Sequence, residues 1–336
     1  MKIFWKKILL IIKRGPIYVF RWGLTFVKSR IKYYQTHEVR KSYGNDMPDK
    51  TFYIIGINEG WCGLFAILTH QLTHIAYALD RGYIPIIDLQ NFENQYLGVE
   101  GLFKKNAWEC FFQQPMGYDL NSVKKAKNVI KSVVRNNPPD FKYRLGYMHI
   151  FCPDVLSYYK GIYEKHIKPS HQSLLFLSTR HDDLFKNKGK VLGVHCRGTD
   201  YTALRPCGHP IQPDPGEVIK KAEEVMREHH CDHVYLATED ADINKLFAMH
   251  FGEKLILDYS QKWCASDLPK EQCNSITLLG LENSDKIQRG LEYLSQIYLL
   301  SQCACFIGGN TCGSLGALLM PNKFEYSFVF DLGKYK

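Results

Sequence analysis

The chain has 336 residues, 45% hydrophobic and 23% charged, a globular balance with no disordered or fibrous bias. Its net charge of +9 sits at one end: residues 1–34 hold nine Lys or Arg and no acid, and the remaining 34 basic residues match the 34 acidic ones. A neutral body argues against a nucleic-acid partner, which needs a basic face on the fold itself, and it turns the N-terminus toward an anionic surface such as phospholipid.

Eleven cysteines, an odd number without a C-x-x-C pair, read as reduced thiols of a cytoplasmic protein. The length suits two domains of ordinary size, each with its own core.

Residues 1–14 set Phe4, Trp5, Ile8, Ile11 and Ile12 on one helical face and Lys2, Lys6, Lys7, Lys13 and Arg14 on the other, before Gly15-Pro16. No uncharged run reaches the ~18–20 residues that span a bilayer. The expectation for residues 1–34 is an amphipathic basic segment lying on the inner face of a membrane, a peripheral contact made through residues 1–30. A helix packed on the body, or a signal anchor, are the other readings. Residues 35–50 read as a polar linker, and residues 51–188 as a first α/β domain.

That domain opens with a strand over Thr51–Ile57. The tight loop Asn58-Glu-Gly-Trp-Cys-Gly63 follows, then a helix over Leu64–Leu79 and a strand over Tyr83–Leu89. This is a βαβ unit whose first loop, with Gly60 and Gly63, is of the kind that lies against a phosphate or simply turns tightly. Val123–Val134 and Asp154–His166 are read as helical. His70 and His74 stand at i, i+4, but Gln71 occupies the place of the Glu in H-E-x-x-H, which excludes a zinc protease. Lys186-Asn-Lys-Gly-Lys190 is the expected domain junction.

The organising stretch of the second domain, 189–336, is Val191-Leu-Gly-Val-His-Cys-Arg-Gly-Thr-Asp200. Val191–Cys196 is a strand buried on both faces. It delivers His195, Arg197 and Asp200 to its C-terminal end, where open α/β sheets build ligand sites. Arg197 can grip a phosphate with its planar fork, and Asp200 can brace that fork. The same residues would also serve as a ligand-free ion pair. Helices over Gly216–His229, Ala241–Met249, Lys286–Gln302 and Cys312–Met320 then alternate with strands over His233–Thr238, Lys254–Asp258, Cys303–Ile307 and Tyr326–Leu332, a Rossmann pattern.

Gly308-Gly-Asn-Thr-Cys-Gly-Ser314 leads from a strand into a helix, so Asn310, Thr311, Cys312 and Ser314 stand where the first helical amides can bind an anion. Capping by Thr311 or Ser314 is compatible with that role. Asp240-x-Asp242 has the composition of a divalent-metal pair and equally of an acidic helix start. His229-His-Cys-Asp-His233 fits a helix end.

The second half resembles the GDP-fucose-dependent α-1,6-fucosyltransferases and their relatives, the core-fucosylation and nodulation-type enzymes. The resemblance lies in Gly193-Val-His-Cys-Arg-Gly-Thr-Asp200, His209-Pro-Ile, Val234-Tyr-Leu-Ala-Thr-Glu-Asp240, Arg289-Gly290 and Leu300-Ser-Gln302, in order over residues 191–320. It implies a GT-B fold, two Rossmann-type domains facing a cleft, and a metal-independent inverting glycosyltransferase with GDP-fucose as donor and a glycan or lipid-linked glycan as acceptor, as in envelope polysaccharide synthesis. It implies Arg197 and Asp200 as catalytic residues, Arg197 neutralising the leaving diphosphate. His195, His209, Asp240, Glu292, Asn310, Thr311, Cys312, Ser314, Gly60 and Gly63 become donor contacts, with no metal ligand.

The chain departs from the family at Gly198, where relatives carry a second Arg, at Arg205, where the core enzyme has a Glu proposed as base, and at Gln296, where a guanine-binding Asp stands. Glu292, one helical turn earlier, can substitute for that Asp. A different nucleotide sugar, or a non-catalytic nucleotide- or glycan-binding protein, are the alternatives those departures raise.

Overall fold

The computed structural model describes residues 37–336 apart from 57–61, 93, 102, 134–136, 140 and 265–284. The basic segment 1–34 therefore lies outside the described residues. Among the described residues no helix is long and apolar enough to cross a membrane.

Two sheets organise the chain. The first holds β1 (Val39–Lys41), β2 (Asp46–Gly56), β3 (Ile84–Asp88) and β4 (Ala126–Lys131) in the order β1-β4-β2-β3. β2 runs parallel to β3 and β4, and β1 closes the edge antiparallel to β4. Helix α1 (Leu64–Asp80) covers one face, packing Leu64, Leu68, Leu72 and Ile75 among Tyr53, Ile55 and Ile87. The other face carries a thin layer in which Phe52, Ile54, Ile86 and Val129 meet Val123, Met47 and Tyr118.

Two sequence expectations change here. The polar stretch 35–50 contributes β1 and the start of β2, because Val39 and Met47 give an edge enough apolar contact to pair. Val123–Val134 is a 3-10 turn (Ser122–Lys125) followed by β4, since Ala126, Val129 and Ile130 meet the two layers of a sheet, not one face of a helix.

After α2 (Pro153–His166) and α3 (His171–Phe185) comes the second sheet: β5 (Val191–His195), β6 (His233–Ala237), β7 (Leu255–Ile256), β8 (Cys305–Gly309) and β9 (Tyr326–Phe330). All pairs are parallel, in the order β7-β6-β5-β8-β9. Numbered within the domain this is 3-2-1-4-5, the doubly wound order, with its switch point between β5 and β8. The strands follow from near-unbroken apolar runs buried on both faces. The helices are α4 (Thr199–Leu204), α5 (Pro215–Glu228), α6 (Ala241–Phe251), α7 (Lys286–Ser301) and α8 (Cys312–Leu319).

Apolar packing is continuous between the sheets, while the outer face of each keeps its own smaller cluster. The largest hydrophobic cluster runs from Tyr53, Phe65 and Leu72 through Tyr159 and Leu177 to Leu300, Phe306 and Leu315. A Cβ on Gly316 of α8 would lie 2.2 Å from Phe65 Cδ1, so the glycine lets α8 sit directly on α1. Arg180 of α3 bridges to Asp258 beyond β7, and Tyr235 donates to the same carboxylate at 3.2 Å. The ten described cysteines are all free.

Candidate functional site

His195 ends β5 and Gly308 is its neighbour on β8, so the side chains after them meet at the switch point. Ser314 donates its one hydroxyl proton to the Gly309 carbonyl at 2.6 Å. Its 2.8 Å contact with His195 Nδ1 must then have the imidazole as donor. The proton is thereby assigned to Nδ1, and Nε2 keeps its lone pair. Burial, with Arg197 nearby, pushes the His195 pKa down to about 3, so the ring is neutral. It can accept a hydrogen bond from a ligand hydroxyl and cannot neutralise a phosphate.

Arg197 lies two residues beyond the strand end, with one quarter of its side chain exposed. Its Nε is 3.7 Å from Glu239 Oε1, and its Cζ lies 4.6 Å from the centre of the Tyr201 ring. His209 continues the row: its Nδ1 is 3.2 Å from the Tyr201 hydroxyl. Glu239 also accepts from Gly198 N at 3.1 Å and Thr199 Oγ1 at 3.0 Å. Glu239 is thus a brace for Arg197 that sequence reading did not single out. The backbone of Asp200 lies in α4; its side chain is outside the description.

Asp240 is committed to the fold. Its Oδ1 caps α6 through Asp242 N (2.8 Å) and Ile243 N (3.0 Å), and its Oδ2 accepts from Thr199 N at 2.9 Å. Both oxygens serve backbone amides, which explains the acidic helix start. Asp242 is exposed and sits 3.6 Å from Lys245. Thr199, fully buried, takes a left-handed φ of +47°, a strained conformation for a β-branched residue, held by Glu239 and Asp240. The same closeness explains Gly198: a Cβ there would stand 2.4 Å from Asp240 Oδ2 and 2.7 Å from Ile243 Cδ1.

Across the switch point, Thr311 caps α8 by accepting from Ser314 N at 3.1 Å, and Leu315 N is paired with the Thr311 carbonyl. The amides of Cys312 and Gly313 head the helix as its outward donors. Burial pushes the Cys312 thiol up to about 11 while the nearby Arg197 charge opposes the rise. A Cβ on Gly313 would meet His195 Cε1 at 2.7 Å and the Tyr293 hydroxyl at 3.0 Å, so glycine is required for these groups to converge.

Tyr293 was not singled out from sequence. It comes from α7, stacks edge-on against Phe65 at 5.3 Å, and lies 3.9 Å from the Cβ position of Gly63. Gly63 precedes α1 and so borders the site, whereas Gly60 lies outside the described residues. Gln212 was also missed. Its Nε2 donates to the Pro210 and Asn310 carbonyls, and its side chain fills the space beside Gly309 that a Cβ would occupy. Asn310 is buried, and its Oδ1 has no hydrogen-bond partner among the described residues.

Glu292 stands one turn before Gln296 on α7. Gln296 donates to Ser260 Oγ at 2.6 Å, and Lys262, whose pKa is lowered by burial, reaches the same oxygen. Among the described residues no group of three or more His, Cys, Asp or Glu gathers to hold a metal. His74 is paired with the Tyr53 hydroxyl at 3.1 Å, and His233 with the Lys188 carbonyl at 2.6 Å. A cavity of about 290 Å³ lies at the opposite end of the sheet, by Lys190, Gln302, Cys303 and Asn322. It faces the N-terminal strand ends, where α/β sheets do not place their ligands.

The second sheet defines a doubly wound α/β fold, with the Arg197 guanidinium and the start of α8 at its switch point. Comparison with protein-family models and with curated proteins gives no match. Among solved structures the chain is similar to the fucosyltransferase NodZ from Bradyrhizobium, at 17% identity over 81% of this chain and 94% of that one, TM-score 0.45. It is also similar to a mutant of Arabidopsis thaliana FUT1 with GDP, at 10% identity over 83% and 70%, TM-score 0.46. A third is POFUT1 with GDP, at 9% identity over 83% and 99%, TM-score 0.43.

Proposed function

We propose that the chain is an inverting, metal-independent glycosyltransferase of GT-B type that transfers fucose from GDP-fucose to a glycan or lipid-linked glycan. The observation that carries this is Arg197, held by Glu239 and Tyr201 at the end of β5, in the electrostatic neighbourhood of Cys312 at the head of α8. A guanidinium and a set of helical amides on two sides of a switch point suit a diphosphate. As an acceptor hydroxyl attacks the anomeric carbon, the sugar–phosphate bond breaks and charge grows on the departing diphosphate. Arg197 and the Cys312 and Gly313 amides are placed to stabilise that charge.

Neutral His195 offers Nε2 to a hydroxyl of the donor. The proton of the acceptor hydroxyl passes to solvent or a base outside the set named here, because Arg205 is a cation on the surface. Domain limits of 51–188 and 189–336 and a cytoplasmic enzyme held at the inner membrane face by residues 1–34 belong to the same reading. It is supported by the basic, acid-free leader and the free thiols.

A second reading, transfer from another nucleotide sugar, is favoured by Gln296, whose amide is engaged with Ser260 where a guanine-reading carboxylate would be expected. One experiment separates them: incubate the protein with GDP-fucose, GDP-mannose and UDP-sugars in EDTA, and follow nucleotide release and binding. GDP release from GDP-fucose alone supports the first reading, and UDP release the second. Tight GDP binding without turnover on any acceptor would leave only a binding protein.

A further inference from the structure

Among the described residues the first sheet carries helix α1 on one face and, on the other, a thin layer built on Val123 and Tyr118. On this second face, Lys127 and Lys131 of β4 alternate with Val129, so the three side chains share that outer face. Lys41 of β1 pairs with Val129, and directly opposed residues of an antiparallel pair project to the same side. Lys124 and Lys125 belong to the turn whose Val123 covers this face. All five lysines are exposed, and Tyr43 and Met116, each more than 40% exposed, lie on the flanking segments. The acids of the same region are Asp46, Asp49 and Asp119; Asp49 is 3.5 Å from Lys50 and Asp119 is bonded to Ser122 and Asn121. Cations are therefore in excess on this face, although the chain beyond residue 34 is neutral in sum.

We propose that the outer face of the first sheet is a second membrane-binding surface, recognising anionic phospholipid headgroups through Lys41, Lys124, Lys125, Lys127 and Lys131. Two observations select a bilayer over another polyanion. The cations of this face are lysines, with exposed Tyr43 and Met116 on the flanking segments, a composition that suits an interface with headgroups above and acyl chain below. The chain also enters the fold at β1, on this edge, directly after the acid-free segment with nine cations and alternating apolar residues. Leader and sheet face would then lie on the same membrane and fix the orientation of the body, where a leader alone would leave it swinging.

The test uses the full chain and phosphatidylcholine vesicles with or without one-third phosphatidylglycerol. Lysine acetylation of the wild-type protein, read by mass spectrometry, should show Lys124, Lys125, Lys127 and Lys131 protected by the anionic vesicles and not by neutral ones. Unchanged labelling at all four overturns the proposal, even if the leader binds.

Reversing these four lysines to glutamate should weaken vesicle affinity by on the order of a hundredfold or more, at about 1 kcal/mol per cation at the surface. Reversing Lys220, Lys245, Lys254 and Lys323 removes as much charge from the second half and should change it far less. Equal losses in the two variants would mean that net charge alone drives binding, and the proposal fails. It fails also if a single-stranded RNA oligonucleotide protects the same lysines as strongly as the vesicles do.

Discussion

Ser314 holds His195 through Nδ1 at 2.8 Å while giving its own proton to the Gly309 carbonyl, and this fixes which imidazole nitrogen faces a ligand. Replacing Ser314 by Ala removes the acceptor and frees the ring to change tautomer. The variant is expected to lose about 1–3 kcal/mol of stability from the unpaired buried donor and to bind GDP-fucose more weakly, with GDP affinity less affected. Calorimetric titration with the two ligands checks this; equal losses would place His195 against the nucleotide instead of the sugar.

Arg197 should matter chiefly to rate. Arg197→Ala is expected to lower kcat by about 10²–10³, as removal of one stabilising donor does elsewhere. Glu239→Gln should give a smaller loss, since the 3.7 Å brace is weakened while the guanidinium remains. Turnover with saturating donor distinguishes the outcomes, and Arg197→Ala with near-normal kcat would remove the proposed anchor.

Gly198 tests the packing of the loop. Gly198→Ala drives a methyl into Asp240 and Ile243, and overpacking of that kind costs about 1–3 kcal/mol. In an Asp240→Ala background the same substitution should cost less, because the clashing oxygen is gone. Urea denaturation of the four variants measures the coupling.

His195 and His70 make stability depend on pH. His195 and His70 are pushed down to about 3 and about 4, chiefly by burial. Above the unfolded value near 6.5 both states hold the rings neutral and no penalty arises. As pH falls from 6.5 toward 4 the unfolded chain takes up protons that the folded one refuses, so stability declines. The limiting slope is about 1.4 kcal/mol per pH unit for each ring. Urea midpoints at pH 7.5 and 5 should differ accordingly, and His70→Gln should flatten the difference.

Sequence made the second sheet legible because its strands are apolar on both faces and its helices are amphipathic; β5, β6 and the α8 start fell where read, while β8 lies two residues later than expected and takes in Gly308 and Gly309. The first sheet was harder. β1 is three residues long, and β4 carries Lys at both exposed positions, so neither shows a strand's apolar run. Helix α3 was missed because Leu174 and Leu175 face solvent and blur its period.

The site residues on strand ends were legible for the same reason the strands were. Glu239 and Tyr293 were not, since what brings them to Arg197 and His195 is tertiary contact across roughly 40 and 100 residues of chain. Asp240, conspicuous in the sequence, is a helix cap whose oxygens accept from three backbone amides.

The seating of Phe65 on Gly316 bears on how such a protein could open and shut. With no side chain on α8 at this point, the Phe65 ring filling the contact and apolar packing continuous on either side, the halves have no lubricated plane along which to rock. Traffic in and out of the switch point would then fall to the short segments around it, and a bulkier residue at 316 should act as a wedge that loosens both halves together.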